Sequence, residues 1–95
     1  MKVRWTEDAR NDREAIFEYV RIDSPRAALA LDEEFADSGK KLADFPHRGR
    51  PGRAPQTREL VISPSSYVIV YTIREDVLWI LRVLHAAQSW PEMTQ

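Results

Sequence analysis

Cysteine is absent from the chain, which excludes a disulfide framework and any thiolate metal site and suits a reducing compartment. Histidine is scarce: His47 and His85 are the two present, and neither has carboxylates beside it at ligand spacing, so no metal centre is expected. No stretch approaches the roughly eighteen consecutive apolar residues of a membrane span. The opening residues, Met1 to Asp8, lack the apolar core of a secretory signal. The three glycines, Gly39, Gly49 and Gly52, form neither a phosphate-cradling loop nor a nucleophile elbow, which argues against a nucleotide-dependent enzyme or a hydrolase. The expectation from these absences is a soluble cytoplasmic protein without a cofactor or a membrane partner.

What is present is organised around the C-terminal third. Arg58–Ile62, Tyr67–Ile73 and Val77–Leu84 are dense in β-branched and aromatic residues. The connectors, Ser63-Pro64-Ser65-Ser66 and Arg74-Glu75-Asp76, are too short for the crossover that parallel neighbours require, so the three runs predict an antiparallel meander. The second and third runs are apolar on both alternating faces, so one face must be covered by another part of the chain. Residues 1–95 are read as one domain, large enough to fold without covalent staples.

The cover comes from upstream. Lys2–Trp5 alternates charged against apolar residues as a short half-buried strand does. Thr6 then stands as an N-cap, with Glu7 and Asp8 in the first turn where carboxylates favour the positive end of the helix dipole. Ala9, Ile16, Phe17 and Val20 keep helical spacing, interrupted by Arg13, and predict a helix from Glu7 to Arg21 with Tyr19 flanking its stripe. Ser24-Pro25 opens a second helix, a capping hydroxyl followed by proline at the first helical position. Its buried stripe is expected to run through Ala28, Leu31, Phe35, Ser38, Leu42 and Phe45 until Pro46 stops it. Gly39 within it costs about 1 kcal/mol relative to alanine. Ile22 and Asp23 alone separate the two helices, which predicts an antiparallel hairpin.

Charge is distributed unevenly along the chain. Glu7 to Asp44 contains eleven acidic and six basic residues, whereas Phe45 to Arg58 contains four arginines and no acid. The segment His47–Gln56, broken by two glycines and two prolines, reads as an irregular basic loop leading into the meander. The expected fold class is therefore α+β with two layers: an N-terminal strand and a helical hairpin packed on one face of a small antiparallel sheet. The opposite face of the sheet is expected to remain a shallow, partly apolar surface suited to a partner.

Residues along nearly the whole chain carry a resemblance. Trp5-Thr6 with Ala9, Asp12, Ile16 and Tyr19, then Pro25-Arg26-Ala27-Ala28, then Leu42-Ala43-Asp44-Phe45-Pro46 with Gly49-Arg50 form its first half. Thr57-Arg58-Glu59-Leu60-Val61, Tyr67-Val68-Ile69-Val70-Tyr71 and Val83-Leu84-His85 with Gln88, Trp90 and Pro91 complete it. The sequence resembles the ParE/RelE superfamily of bacterial toxins. The resemblance implies a growth-inhibiting toxin of a type II toxin–antitoxin module, neutralised by direct binding of a cognate antitoxin, with contact to DNA only through that antitoxin. It implies the same order of strands and helices as the residue patterns do.

The superfamily divides by target. RelE-like members cleave messenger RNA on the ribosome and need cations for phosphates plus an acid/base pair. Their catalytic arginine follows the tyrosine of the Tyr-x-x-Val-Tyr strand, where this chain has Val68, and their later basic cluster is here His85-Ala86-Ala87-Gln88. The resemblance therefore favours the ParE-like branch, whose members poison DNA gyrase. The alternatives are a ribosome-dependent endoribonuclease and a degenerate toxin that retains only antitoxin binding.

The candidate site residues each have a structural alternative. His85 is the candidate general base or acid, since the unperturbed imidazole titrates near neutrality. Arg48, Arg50 and Arg53 suit phosphates, antitoxin carboxylates or plain solvation. Arg58, at a strand start, suits the same partners or an internal pair with Glu59 or Asp76. Tyr67 and Tyr71 share a strand face with Ile69, as core edge or partner contact. Trp79 is expected in the core. Trp90 is a candidate contact, with its indole expected to pin the tail against the sheet.

Overall fold

The computed structural model describes residues 1–91. Its elements are β1 (Lys2–Trp5), α1 (Glu7–Arg21), α2 (Pro25–Asp44), β2 (Arg50–Pro51), β3 (Arg58–Ile62), β4 (Tyr67–Arg74) and β5 (Val77–His85). Both helix starts obey their capping residues. The Thr6 hydroxyl oxygen accepts the Ala9 N–H at 3.1 Å and donates to the Leu81 carbonyl at 2.9 Å, so one side chain caps α1 and ties it to β5. The Ser24 hydroxyl accepts the Ala27 N–H at 3.1 Å, with Pro25 in the first turn.

The strands form one sheet in the order β1-β5-β4-β3-β2. The meander β3-β4-β5 is antiparallel as the connectors demand. Two details differ from the sequence expectation. β1 lies parallel to β5, from Lys2 opposite Val77 to Trp5 opposite Ile80, so the sheet is mixed rather than antiparallel. A four-residue alternation fixes which side chains face inward but carries nothing about the direction of the neighbour. Within the expected loop, Arg50 and Pro51 pair with Glu59 and Arg58 as a two-residue edge strand. Proline is tolerated there because an edge position does not need its missing N–H.

The helical hairpin covers one face. Ala9, Phe35, Leu42, Ile62, Ile69, Tyr71, Leu78, Ile80 and Val83 form the main core, with Trp5, Ile16, Leu31 and Tyr67 packed against it. Removing a fully buried side chain such as Phe35 costs about 3–5 kcal/mol in comparable cores. The buried stripe of α2 ends at Leu42: Phe45, expected to be its last member, is 62 % exposed, because the helix stops at Asp44 and the backbone turns away at φ −131°. Gly39 has a packing reason. A Cβ there would lie 2.8 Å from Cζ2 of Trp5, so only glycine lets the indole slide between α2 and the sheet. Arg13, which breaks the stripe of α1, places its guanidinium 4.6 Å from the Trp5 ring centroid and pairs with Asp32 at 2.9 Å.

α1 is also locked to the sheet. Val70 pairs with Arg82 and Tyr71 with Ile80, leaving Leu81 as the extra residue of a β-bulge. Immediately after it, the Asp12 carboxylate accepts from Arg82 at 2.7 and 3.0 Å and from the Val83 N–H at 2.9 Å.

The opposite face departs most from expectation. Val68, Val70 and Leu84 are buried there, packed under Trp90. The molecule's own loop and C-terminal segment thus seal half of the surface that the sequence reading left open to a partner. The other half stays open, and Trp79, expected in the core, lies half-buried on it beside Thr72, Arg74 and Leu81.

Candidate functional site

The basic segment between α2 and β3 is held in place by two register partners on adjacent strands, Arg58 and Tyr71. The Tyr71 hydroxyl donates to the Pro46 carbonyl at 2.7 Å and accepts the Gly49 N–H at 2.9 Å. Arg58 Nη1 donates to the carbonyls of Gly49 at 2.7 Å and His47 at 3.2 Å. Arg58 therefore anchors loop carbonyls and does not pair with Glu59 or Asp76. Tyr71 is 0 % exposed and presents no surface to a partner. Burial pushes its phenol pKa up, against the opposing Gly49 hydrogen bond and the Arg58 charge. Gly49 must be glycine here, since a Cβ would meet the Tyr71 ring and hydroxyl at 2.8 Å and the Glu59 carbonyl at 3.0 Å.

Arg53 and Arg50 converge on Glu59. That carboxylate is 2 % exposed and accepts the Arg53 backbone N–H at 2.9 Å, Arg53 Nε at 3.1 Å and Arg50 Nη2 at 3.5 Å. Burial raises its pKa, but these donors outweigh burial and leave it below the ordinary glutamate value. The far end of the Arg53 guanidinium donates to the carbonyls of Gln88 at 2.7 Å and Ala86 at 3.4 Å. One side chain thus clasps the C-terminal segment over the sheet, where Trp90 covers Val68, Val70 and Leu84. The indole pins the tail, as its position after the last strand suggests.

Arg48 behaves differently from the other three arginines. It is exposed, and among the described residues its guanidinium makes no hydrogen bond or ion pair. It flanks a shallow recess of about 490 Å³ formed with Phe45, Pro46 and His47, and a smaller one of about 290 Å³ lined also by Glu34, Ser38, Lys41 and Val61.

His85 ends β5 opposite Tyr67, and the two rings meet edge to face at 5.6 Å. Tyr67 also packs edge to face on Phe35 at 5.8 Å. Burial raises the Tyr67 pKa, with Tyr19 adding to the shift. His85 Nδ1 accepts the Ala87 N–H at 3.2 Å, so the neutral ring carries its proton on Nε2. The structure brings His85 to Tyr67, while Arg53 and Arg58 donate to internal acceptors and Arg50, largely exposed, touches Glu59 at 3.5 Å. Among the described residues no three His, Asp or Glu side chains gather as a metal site would need. The arrangement offers one imidazole beside one high-pKa phenol and a free arginine on another edge.

Glu59 is the hub that residue patterns missed. Its signal is present in retrospect: it is the sole carboxylate within the three meander strands, and it follows a run of four arginines. No local pattern ties Asp12 to Arg82, seventy residues away.

Residues 3–90 match the family model described as ParE toxin of type II toxin-antitoxin system, parDE. The chain is 40 % identical to "Putative toxin Y4kP" of Sinorhizobium fredii over 97 % of its own length and 95 % of that protein's. It is 38 % identical to Toxin RelE2 of Caulobacter vibrioides over 92 % of its length and 97 % of that protein's. A solved structure of a chromosomal ParDE toxin–antitoxin system from P. aeruginosa superposes with a TM-score of 0.80 at 26 % identity, covering 90 % of this chain and 95 % of that one.

Proposed function

The chain belongs to the ParE toxin family of type II toxin–antitoxin systems, and from that premise we propose that it arrests growth in the cytoplasm by binding DNA gyrase, until a cognate antitoxin silences it. One observation carries the choice of target. The position after Tyr67, where a messenger-RNA-cleaving relative places a catalytic arginine, is Val68, which is fully buried beneath Trp90. No cation can reach a phosphate from there. Arg53 and Arg58 are poor substitutes, because their guanidiniums are held by internal acceptors, and Arg50, 58 % exposed, would have to act without a second cation beside it. A site without converging phosphate ligands and a paired acid and base has little with which to stabilise in-line attack by a 2′-hydroxyl. In this reading Arg48 and the Tyr67–His85 edge face partners, while Arg50, Arg53, Arg58, Tyr71 and Trp90 shape the surface. DNA is reached only through the antitoxin.

The second reading, a ribosome-dependent endoribonuclease, draws on His85, which is exposed and set against a phenol of raised pKa. Inducing the free protein separates the two. Binding to gyrase predicts loss of supercoiling while translation continues. Messenger RNA cleavage with normal supercoiling would reverse the assignment, and harmless accumulation of folded protein would indicate a toxin reduced to antitoxin binding. Co-expression of the neighbouring short reading frame is expected to restore growth.

A further inference from the structure

The open half of the sheet's far face has a composition of its own. Arg4 lies opposite Trp79 across β1 and β5, and Trp79 lies opposite Thr72 on β4. One step along, Lys2 lies opposite Val77, and Val77 opposite Arg74. Directly opposed residues share a face, so Lys2, Arg4 and Arg74 surround the half-buried indole of Trp79. All three cations are exposed, and among the described residues none has a hydrogen bond or ion pair from its side chain. Beside the indole is a groove of about 470 Å³, walled by Trp79, Leu81 and Thr72 on the sheet and by Pro55–Thr57. That wall is fixed, because the Thr72 hydroxyl donates to the Gln56 carbonyl at 2.7 Å.

We propose that this platform docks an extended acidic segment of the antitoxin, whose carboxylates pair with Lys2, Arg4 and Arg74 and whose apolar side chain enters the groove beside Trp79. The proposal rests on the antitoxin reading above and assigns it a place. Charge complementarity selects the occupant. Three unpaired cations within two strand spacings, roughly 10 Å, match carboxylates on alternate residues of an extended peptide. The groove accepts a side chain rather than offering a flat stacking face. A nucleic acid is the poorer match. Glu75 and Asp76 stand at the tip of the β4–β5 turn beside Arg74, and the whole chain carries a formal net charge of −1. A continuous row of phosphates would have to run past the three cations into those carboxylates, whereas a peptide needs acidic side chains only opposite Lys2, Arg4 and Arg74.

The test is a binding titration of the purified toxin with the protein encoded beside it, at low and raised salt. The variant Lys2→Glu/Arg4→Glu/Arg74→Glu changes only exposed side chains, and its thermal unfolding is expected to match the parent. It should bind about tenfold more weakly or worse, with a flattened salt dependence. Trp79→Ala should weaken binding comparably while keeping the salt dependence. Unchanged affinity in the triple variant, with tight binding by the parent, would overturn the proposal and leave the antitoxin reading standing. Failure of the parent to bind would overturn both. A single-stranded oligonucleotide that binds the parent, loses affinity in the triple variant, and leaves antitoxin affinity indifferent to it would assign the platform to nucleic acid instead.

Discussion

Arg53 and Glu59 are joined twice, through the arginine backbone N–H at 2.9 Å and its Nε at 3.1 Å, and the same guanidinium holds the Gln88 carbonyl at 2.7 Å. The pair therefore does more than neutralise a buried carboxylate. It converts charge on one strand into the position of the C-terminal segment, so the closed half of the sheet depends on Glu59 being ionised.

This dependence has a sign. The folded-state pKa of Glu59 lies below its unfolded value, so its contribution is fully present above the unfolded pKa and is lost as pH falls through the folded one. The stability of the parent, read from urea midpoints, should decline from roughly pH 5 downward, and Glu59→Gln should decline less steeply. At neutral pH the variant should be less stable by about 1–3 kcal/mol, since buried donors lose a charged acceptor. Parallel pH profiles for the two proteins would contradict the clasp.

Tyr71→Phe removes a hydroxyl that serves two loop groups, the Pro46 carbonyl and the Gly49 N–H. The ring still fills its place, so the loss is confined to hydrogen bonding and amounts to about 1–3 kcal/mol. Hydrogen exchange at Gly49 should accelerate more than exchange in α1.

The β4–β5 turn is strained by its residues. Glu75 and Asp76 have φ of 48° and 65°, the mirror-image turn that favours asparagine and glycine. Glu75→Asn/Asp76→Gly should raise stability by about 1 kcal/mol, seen as a higher melting temperature with an unchanged denaturant slope.

Asp12→Ala should cost about 1–3 kcal/mol, because the Val83 N–H loses its acceptor and Arg82 loses one of its partners at the bulge. Urea denaturation of the purified protein measures it. A loss within 0.5 kcal/mol would show that water replaces the carboxylate there.

His85→Ala addresses the chemistry. His85 is exposed, so the variant should fold like the parent. If gyrase binding is the activity, growth arrest should survive at a level set by the loss of one contact. Complete loss of toxicity in a folded variant would favour the nuclease.

Local pattern carried most of the scaffold. Capping residues at Thr6 and Ser24 and the 3.6-residue rhythm gave both helices, and the alternation of apolar residues gave the meander, since each of these is decided by neighbours a few residues away. Which surface remained open was decided at long range. The parallel placement of β1 brought Lys2 and Arg4 to Trp79, while the Arg53–Glu59 pair and Trp90 closed the adjoining half of the face. The sequence determined that arginines and a tryptophan would be available. The tertiary structure decided which became struts and which stayed free, because an ion pair or a covered indole depends on elements brought together across dozens of residues, and no local spacing records that meeting.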